Sequence, residues 1–315
     1  MQIFSAIDTM TETFPIPVLT MGNFDGVHVG HQHIFRLVKE RAEQIGGTSL
    51  VLTFDPHPQK ILFPEREFDL ITTMEAKMNI IQQIGIDVLL CVAFTRAFAA
   101  QNPKEFVREM LVQRLQVREV YVGYNSRFGQ RQHGTPQALA QWGAEFGFRV
   151  TIVPPITRDG VLVSSTKIRQ LLRQGAVEEA AQFLNRQYAL DGTVVTGAQR
   201  GSSLLGYPTA NLDVQHELIP KKGVYIGQVV WRTQVLPAVV SIGTNPTFHQ
   251  EHTTVEVHIL DFRGNLYGEQ IQVRFLKRIR DERSFAHYQE LVQQIARDIQ
   301  IAKAYFPAPD SSGST

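Results

Sequence analysis

The character of the chain changes once, close to residue 186, and this change limits the folds that it can adopt. Up to Asn185, short apolar segments typical of buried strands alternate with segments of helical spacing. Such alternation predicts a parallel sheet with helices on both of its faces. From Arg186 to about Ser284, β-rich segments follow one another between Gly, Pro and Asn turns. That pattern predicts a small antiparallel barrel, so we expect an α/β domain followed by a β domain.

The expected domains are 1–186 and 187–306, because a chain of 315 residues is long enough for two hydrophobic cores. Residues 284–306 have the spacing of one long amphipathic helix. Its predicted buried side carries Phe285, Tyr288, Leu291 or Val292, Ile295 and Ile299. Residues 307–315 are polar, and we expect them to form a disordered tail.

Composition narrows the classes of function. A net charge of +1 with 19% charged residues gives no strong field, so neither nucleic acid nor a membrane is expected as a partner. The single cysteine, Cys91, excludes an internal disulfide and fits a reducing compartment. A secretion signal and a run of about 18 apolar residues are both absent from the sequence. We therefore expect a cytoplasmic globular protein, and homo-oligomer formation stays open.

The stretch G-N-F-D-G-V-H-V-G-H, residues 22–31, follows an apolar run and precedes a segment of helical spacing. A strand that turns through glycines into a helix presents backbone N–H groups and the positive end of the helix dipole, an arrangement that binds phosphate. His28 and His31 are three positions apart and can lie on one side of the first helical turn. There they can donate hydrogen bonds to an anion.

Two other interpretations of residues 22–31 stay open at this point. The stretch can be an exposed turn with incidental histidines, since short motifs often match by chance. It can also hold zinc through His28, His31 and His33. Zinc usually takes three or four protein ligands, and Cys91 lies far away in a strand-like run, which disfavours this alternative.

Two loops that follow predicted strands add polar groups. In F-D-P-H-P, residues 54–58, Asp55 offers an acceptor and His57 a donor, although an ordinary Asp-Pro turn has the same sequence. In G-Y-N-S-R-F-G, residues 123–129, Asn125 can both donate and accept, and Arg127 can pair with phosphate.

A third loop, V-S-S-T-K-I-R at residues 163–169, lies just before a predicted helix. The hydroxyls of Ser164, Ser165 and Thr166 can cap this helix. The same hydroxyls, with the N–H groups of the helix start, can bind pyrophosphate, while Lys167 or Arg169 neutralises its charge. We therefore predict a second anion site here.

In the β-rich half, G-Y-P-T-A-N occupies residues 206–211. Pro208 fixes the backbone before Thr209 and Asn211, whose side-chain oxygens point to one side if the segment is extended. Such oxygens suit a hard cation such as Mg²⁺, which needs few protein ligands when nucleotide phosphates supply others. In isolation the hexapeptide is more typical of a turn than of a metal site.

Alternation in V-E-V-H-I, residues 255–259, places Glu256 and His258 on the face opposite the three apolar residues. Glu256 can therefore be a base or merely a surface charge. The sequence has no G-x-x-x-x-G-K-[ST] motif, which argues against a P-loop kinase.

Taken together, these motifs resemble one family. The stretch at 22–31 is similar to the signature of HxGH nucleotidyltransferases, in the form found in the adenylyltransferase half of bacterial bifunctional riboflavin kinases/FAD synthetases. The loops at 54–58, 123–129 and 163–169 fit the same half, except that Ser126 stands where phenylalanine is usual. G-Y-P-T-A-N resembles the riboflavin kinase signature. Segments 197–201, 222–225, 241–248, 256–262, 266–268 and 280–282 follow it in family order.

The resemblance implies a Rossmann-like nucleotidyltransferase sheet and a six-stranded riboflavin kinase barrel with a long C-terminal helix. It implies phosphorylation of riboflavin to FMN and adenylylation of FMN to FAD, with ATP as co-substrate and Mg²⁺ as cofactor. Phosphoryl transfer to an alcohol requires a proton acceptor, and this role falls to Glu256. Two rival functions stay open: a riboflavin kinase whose adenylyltransferase is impaired at Ser126, and a non-catalytic flavin- or nucleotide-binding regulator.

The remaining residue roles are also implied by the resemblance. The catalytic residues are His28, His31 and Glu256, and the metal ligands are Thr209 and Asn211. Nucleotide and phosphate binding falls to Gly22, Asn23, Phe24, Asp25, Gly30, Asn125, Arg127, Ser164, Ser165, Thr166, Arg169, Gly201 and Pro208. Flavin binding falls to Phe54, Asp55, His57, Arg280 and Glu282.

Overall fold

The computed structural model describes residues 1–5, 12–196, 208–247 and 250–306, with side chains described outside 245–252. The chain divides into two compact units, Met1–Ser165 and Thr166–Thr315. This division falls earlier in the chain than the domain boundary that we expected between 186 and 187. The predicted role of Gly201 and the predicted disordered tail lie outside the described residues.

The first unit is built on a six-stranded sheet in which all neighbouring strands run parallel. Its strands are β1 (Gln2–Phe4), β2 (Pro17–Met21), β3 (Thr48–Asp55), β4 (Val88–Ala93), β5 (Glu119–Gly123) and β6 (Arg149–Val153). They are ordered β1-β4-β3-β2-β5-β6 across the sheet. The carboxyl ends of β2, β3 and β5 are therefore neighbours, and loops that follow these strands lie at one edge of the sheet.

The helices of this unit are α1 (Val29–Gln44), α2 (Pro58–Leu62), α3 (Met74–Ile84), α4 (Arg96–Ala99), α5 (Pro103–Phe106) and α6 (Pro136–Phe146). A π-helical segment, Val107–Arg114, continues α5, and a 3-10 turn covers Gln130–Gln132. A small hairpin joins β7 (Thr157–Arg158) to β8 (Val161–Leu162).

Successive residues of the strands pack into different cores, which confirms the prediction of helices on both faces. Leu50 and Leu52 of β3 pack in a cluster with Leu111 and Leu139. Val51 lies between them in sequence and packs in a second cluster with Phe35 of α1, alongside Ile81 and Cys91. Because strand side chains alternate between faces, the two clusters lie on opposite sides of the sheet.

The second unit contains a closed antiparallel barrel of six strands, as predicted. Its elements are α7 (Ser165–Gln174), α8 (Val177–Leu184), β9 (Tyr188–Val195), β10 (Ala210–Val214), β11 (Gly223–Trp231), β12 (Gln234–Thr247), β13 (Gln250–Ile259), β14 (Gln270–Arg280) and α9 (Tyr288–Tyr305). The barrel order is β10-β13-β12-β11-β14-β9, and β9 pairs with β10 to close it. Helix α8 packs against β14 and β9.

Several elements differ from the sequence-based expectation. Helix α9 begins at Tyr288 rather than near 284, with His287 as its N-cap. Tyr288 is 49% exposed and not buried, because it is the first helical residue and has helix neighbours on one side only. Ile299 is buried as predicted. Strands β1 and β10, the small hairpin and the short helices α2 and α4 were not predicted.

A buried ion pair joins α9 to the end of β14. The Arg280 guanidinium donates to both carboxylate oxygens of Asp298, through Nε at 3.0–3.1 Å and Nη2 at 2.7 Å. The side chains are only 13% and 3% exposed, and Gln294 donates a further hydrogen bond to Asp298 at 2.9 Å. Two parallel hydrogen bonds between charged groups fix the geometry as well as adding energy.

Replacing Asp298 with asparagine is expected to destabilise the second unit by about 3 kcal/mol or more, because the Arg280 charge stays buried without its partner. Asp261→Asn is a matched control, since it breaks the exposed Lys303–Asp261 pair at 2.7 Å and should cost at most about 1 kcal/mol. Urea unfolding in a Trp142→Phe background measures both, since Trp231 of β11 then reports on the barrel. Equal midpoints for the two variants would refute a stabilising role for the buried pair.

Candidate active sites

The 22–31 turn joins β2 to α1 through strained backbone. Phe24, Gly26 and Val27 have φ angles of +48°, +78° and +39°, a region that favours glycine. A Cβ on Gly26 would also lie 3.0 Å from the Ile71 side chain. Phe24 and Val27 are almost completely buried, and this packing holds a conformation that is common at functional sites.

His28 and His31 lie together at the start of α1. The Nδ1 atom of His28 accepts a hydrogen bond from the His31 backbone N–H at 3.3 Å, so His28 caps the helix. The two imidazoles stack with centroids 3.5 Å apart and planes 20° apart. Gly30 leaves the necessary space, since a Cβ there would lie 3.1 Å from His28 Cε1. The structure therefore places both predicted histidines at a helix N-terminus, where anions are favoured.

His31 lies in an environment that disfavours positive charge. Burial lowers the pKa of His31 well below its usual value of 6.5, and the neighbouring charges of His28 and Lys77 lower it further. Its Nδ1 atom is buried and has no hydrogen-bond partner in the part of the chain that the structure describes. A buried polar atom of this kind is exceptional and points to a functional role.

The side chain of Asp25 connects the 22–31 turn to the segment before α3 through hydrogen bonds. Its carboxylate accepts hydrogen bonds from the backbone N–H groups of Ile71 at 3.1 Å and Thr72 at 3.3 Å. The Asp25 carbonyl accepts a hydrogen bond from the Ser165 hydroxyl at 2.9 Å. The structure thus brings Ser165 of the third loop to the 22–31 turn. It gives the Asp25 side chain a positioning role that sequence reasoning missed.

Lys77 of α3 also contacts this turn, although it was not predicted from the sequence. Its side chain is buried, and its Nζ atom donates to the carbonyl of Asn23 at 2.9 Å. Thr53 of β3 donates to the same carbonyl at 3.2 Å. Lys77 and Ile81 are the buried residues of α3. A lysine on the apolar stripe of an amphipathic helix is the sequence signal that points to it.

The other two loops of the first unit lie at the same sheet edge. After β3, Phe54 contacts Phe94 and Phe98 at centroid distances of 5.5 and 5.8 Å, and His57 stacks on Phe68 at 4.5 Å. Asp55 is exposed at the end of that strand. These aromatic contacts lie at this edge of the sheet. We call the rings of Phe54, Phe94, Phe98, His57 and Phe68 the aromatic wall.

After β5, Asn125 and Arg127 are exposed, and Arg127 Nη1 donates to the Ser126 carbonyl at 2.8 Å. Phe128 packs against Phe106 and Trp142. Ser126 itself is half-buried, and its N–H donates to the Gly123 carbonyl at 3.0 Å. The loop is thus closed by its own hydrogen bonds, and Phe128 anchors it to the core.

In the barrel, Asn211 of β10 lies directly opposite Glu256 of β13. Paired residues of neighbouring antiparallel strands have Cβ atoms about 4.5–5.5 Å apart, so the two side chains are within reach of each other. Val255, Val257 and Ile259 are buried, which confirms that Glu256 faces the other way. This strand pairing brings Asn211, a predicted metal ligand, next to Glu256, the predicted base.

The Glu256 carboxylate is half-buried and has no hydrogen-bond or ion-pair partner among the described residues. Burial raises its pKa above the usual value of 4.5. A carboxylate whose charged form is disfavoured in this way is a stronger proton acceptor than an exposed glutamate.

The segment before β10 is held by His258, whose Nδ1 donates to the Pro208 carbonyl at 2.9 Å. Thr209 and Asn211 lie two positions apart at the start of the strand, as a shared ligand face requires. A cavity of about 290 Å³ adjoins this segment and is lined by Pro208, His258, Asp261, Phe262, Arg263 and Lys303.

Of the two predicted flavin contacts in the barrel, Glu282 contacts strand β12. Its carboxylate accepts from the Thr244 N–H at 3.3 Å, and a Cβ on Gly243 would lie 2.5 Å from its Oε1. Gly243 is two positions from Ser241, which pairs with Glu256. Arg280 instead directs its guanidinium to Asp298 of α9.

Among the described residues, no group of three or more His, Cys, Asp or Glu is arranged to hold a metal ion. His28, His31 and His33 are thus not grouped in this way. A search of the described helices also finds none with the length and apolar character needed to cross a membrane.

Both halves of the chain match known families. Residues 12–167 match the FAD synthetase family and residues 184–306 match the riboflavin kinase family. The bifunctional riboflavin kinase/FMN adenylyltransferase of Escherichia coli (strain K12) is 37% identical over 290 residues, covering 92% of each chain. The protein of that description from Bacillus subtilis (strain 168) is 36% identical over 294 residues, again covering 92% of each chain.

A solved structure described as "Crystal Structure of Macrolide-efflux Protein from Streptococcus pneumoniae" has the same fold. Its TM-score is 0.87 at 31% identity, and the match covers 96% of this chain and 98% of that one. The motifs, the two folds and the full-length relatives agree. The chain belongs to the family of bifunctional riboflavin kinases/FMN adenylyltransferases, with its FAD synthetase domain N-terminal and its riboflavin kinase domain C-terminal.

Proposed function

We propose that each unit carries out one reaction of its family with the residues gathered in its own site. In the barrel, Glu256 accepts the proton of the riboflavin 5′-hydroxyl while the γ-phosphoryl group of ATP is transferred to that oxygen. The observation that carries this assignment is the pairing of Asn211 with Glu256 across β10 and β13. In this pairing a neutral amide oxygen lies beside a half-buried carboxylate that has no hydrogen-bond or ion-pair partner among the described residues.

The side-chain oxygens of Thr209 and Asn211 fit Mg²⁺. Thr209 and Asn211 supply hydroxyl and amide oxygens from one extended segment, and hard oxygen ligands are what Mg²⁺ prefers. Few protein ligands are needed, because nucleotide phosphates and water complete the coordination. We propose that Thr209 and Asn211 hold the ion. When bound, Mg²⁺ neutralises charge on the phosphate oxygens of ATP.

In the first unit, an oxygen of the FMN phosphate attacks the α-phosphorus of a second ATP. A new P–O bond forms, the bond from the α-phosphorus to the bridging oxygen breaks, and pyrophosphate leaves. Nδ1 of His28 accepts the capping hydrogen bond, so the neutral imidazole carries its proton on Nε2 and can donate it to a phosphate oxygen. The backbone N–H groups at the start of α1 add donors at the same edge. The Ser165 hydroxyl donates to the Asp25 carbonyl and so supports the turn that carries His28.

The other predicted roles remain proposals. The aromatic wall around Phe54 supports flavin binding near Asp55 and His57, since stacked rings suit an isoalloxazine. Arg280 and Glu282 are proposed to contact flavin in the barrel. The domain boundary between 186 and 187 and the cytoplasmic location also stay proposals, as do the absence of nucleic acid and membrane partners and homo-oligomer formation.

The proposal is tested by following riboflavin, FMN and FAD chromatographically after mixing the purified protein with riboflavin, excess ATP and Mg²⁺. We expect FMN to rise first and then to be replaced by FAD, with both steps lost on chelation by EDTA. FMN that accumulates without FAD would favour an impaired adenylyltransferase, and Ser126→Phe would be the first variant to restore it. No product of either kind would favour a non-catalytic regulator.

A further inference from the structure

Lys77 places an ammonium group beneath the 22–31 turn, where an apolar side chain would be expected. It is 3% exposed and shares the buried stripe of α3 with Ile81. Burying a charge is costly unless nearby groups compensate for it. The Asn23 carbonyl, 2.9 Å from Nζ, is its hydrogen-bond acceptor. The fold therefore retains a charge at a position where packing alone does not require one.

The contacts of Lys77 lead directly into the turn that carries the two histidines. Lys77 and Thr53 both donate to the Asn23 carbonyl. Two positions further along the turn, the Asp25 carboxylate holds the backbone of residues 71 and 72, just before α3. Helix α3 and the turn are thus joined by two contacts. The Lys77 side chain of α3 binds the turn, and the Asp25 side chain of the turn binds the backbone just before α3. Movement of Lys77 would be transmitted to the backbone that positions His28 and His31.

Among the described residues, several charged and titratable groups face Lys77 and His31. Lys77 is faced by Asp25, Cys91 and Asp55, whose negative forms partly offset the effect of burial, which lowers the pKa of Lys77. His31 is faced by His28 and Lys77, which add to the effect of burial in lowering the pKa of His31. Phe24 contacts the His31 ring edge at a centroid distance of 5.2 Å and adds no charge.

We propose that Lys77 is a positioning residue for adenylyl transfer, which fixes the 22–31 turn through Asn23 and keeps a positive charge beside His31. Burial is the larger cause, and this charge adds to it in favouring the neutral form of His31 before an anionic substrate enters. The phosphate groups of ATP and FMN then favour proton uptake at the site. This inference rests on the proposed role of His31 in FAD formation.

Three variants separate the hydrogen bond from the charge. Lys77→Gln keeps a donor for the Asn23 carbonyl and removes the charge, whereas Lys77→Arg keeps the charge. Lys39→Gln is the matched control, because Lys39 of α1 is 37% exposed and pairs with Glu43 at 3.7 Å. The imidazole Cε1–H signal of His31, assigned by its loss in His31→Gln, is titrated by NMR in each full-length protein without ligands.

We expect the pKa of His31 to rise in Lys77→Gln by about half a pH unit, since removal of a nearby like charge favours the protonated form. It should stay at the wild-type value in Lys77→Arg and Lys39→Gln. We also expect kcat for FAD formation from FMN to fall about 10-fold in Lys77→Gln, because small displacements of positioned groups are costly. FMN formation from riboflavin should be unchanged and serves as the internal control.

An unchanged His31 pKa in a folded Lys77→Gln protein would overturn the inference. If Lys77→Gln does not fold, a His31 pKa in Lys77→Arg that differs from the wild-type value would overturn it instead. The proposed function is judged separately, by FAD formation in His31→Gln. Wild-type FAD formation in that variant would remove His31 from the reaction, whatever Lys77 does.

Discussion

Glu256→Gln should lower the rate of FMN formation by about 10²–10⁴-fold, the range in which general bases contribute. Glutamine keeps the size of the side chain and its place opposite Asn211, but it cannot accept the riboflavin hydroxyl proton. FAD formation from added FMN should be unchanged, because it depends on the first unit. The two rates are measured in one preparation, by supplying riboflavin or FMN.

The pH dependence gives a second readout of the same variant. Burial raises the pKa of Glu256, so FMN formation in the wild type should decline as pH falls through a value above that of an ordinary glutamate. This acid limb should be absent in Glu256→Gln.

Protein stability provides the control. Since the folded pKa lies above the unfolded one, ionised Glu256 lowers stability at neutral pH. Glu256→Gln should therefore melt at the same temperature or higher. Glu290→Gln, at an exposed position of α9, should change neither rate. A Glu256→Gln protein with wild-type FMN formation would rule out the base.

His28→Ala should reduce FAD formation by about 10²–10³-fold, the loss seen when one donor to a developing oxyanion is removed. FMN formation should stay nearly intact. Because His28 also caps α1, alanine is expected to cost about 1 kcal/mol of stability. His28→Asn separates the two effects, since asparagine is among the best capping residues but lacks an imidazole.

The decisive comparison for His28 is between these two variants. We expect His28→Asn to recover the melting temperature without recovering FAD formation, and His33→Asn on the same helix to leave both close to the wild type. If FMN and FAD formation fell together in a folded His28→Ala protein, the assignment of the two reactions to separate sites would be wrong. Product chromatography and a thermal melt are sufficient to decide.

The local patterns of the sequence predicted most of the architecture because they report burial directly. Alternating strand and helix segments predicted the parallel sheet, and the run of β-rich segments predicted the closed barrel. Alternation around Glu256 correctly separated it from Val255 and Val257. In each case, the residues that determine the structure are close to each other in the sequence.

What the sequence did not reveal depends on contacts between distant segments. G-Y-P-T-A-N reads as a turn until β13 pairs with it and makes β10 a strand. The resemblance implied ligand roles for Asp25 and Arg280. The sequence did not reveal that their side chains also bind the backbone of residues 71–72 and the Asp298 carboxylate. Lys77 is not part of a sequence motif, and its contact with the 22–31 turn becomes apparent only in the folded structure.

The pairing of β10 with β13 has a consequence for folding. Asn211 and Glu256 share one rung of the ladder between these strands, and β10 also closes the barrel against β9. A slip of one residue would place Leu212 opposite Glu256 and reverse the faces of β10. A barrel that has not closed in register therefore lacks the assembled site that we propose for the kinase reaction. ATP consumption with riboflavin thus begins only in molecules that have completed the barrel, which makes the activity an internal report on correct folding.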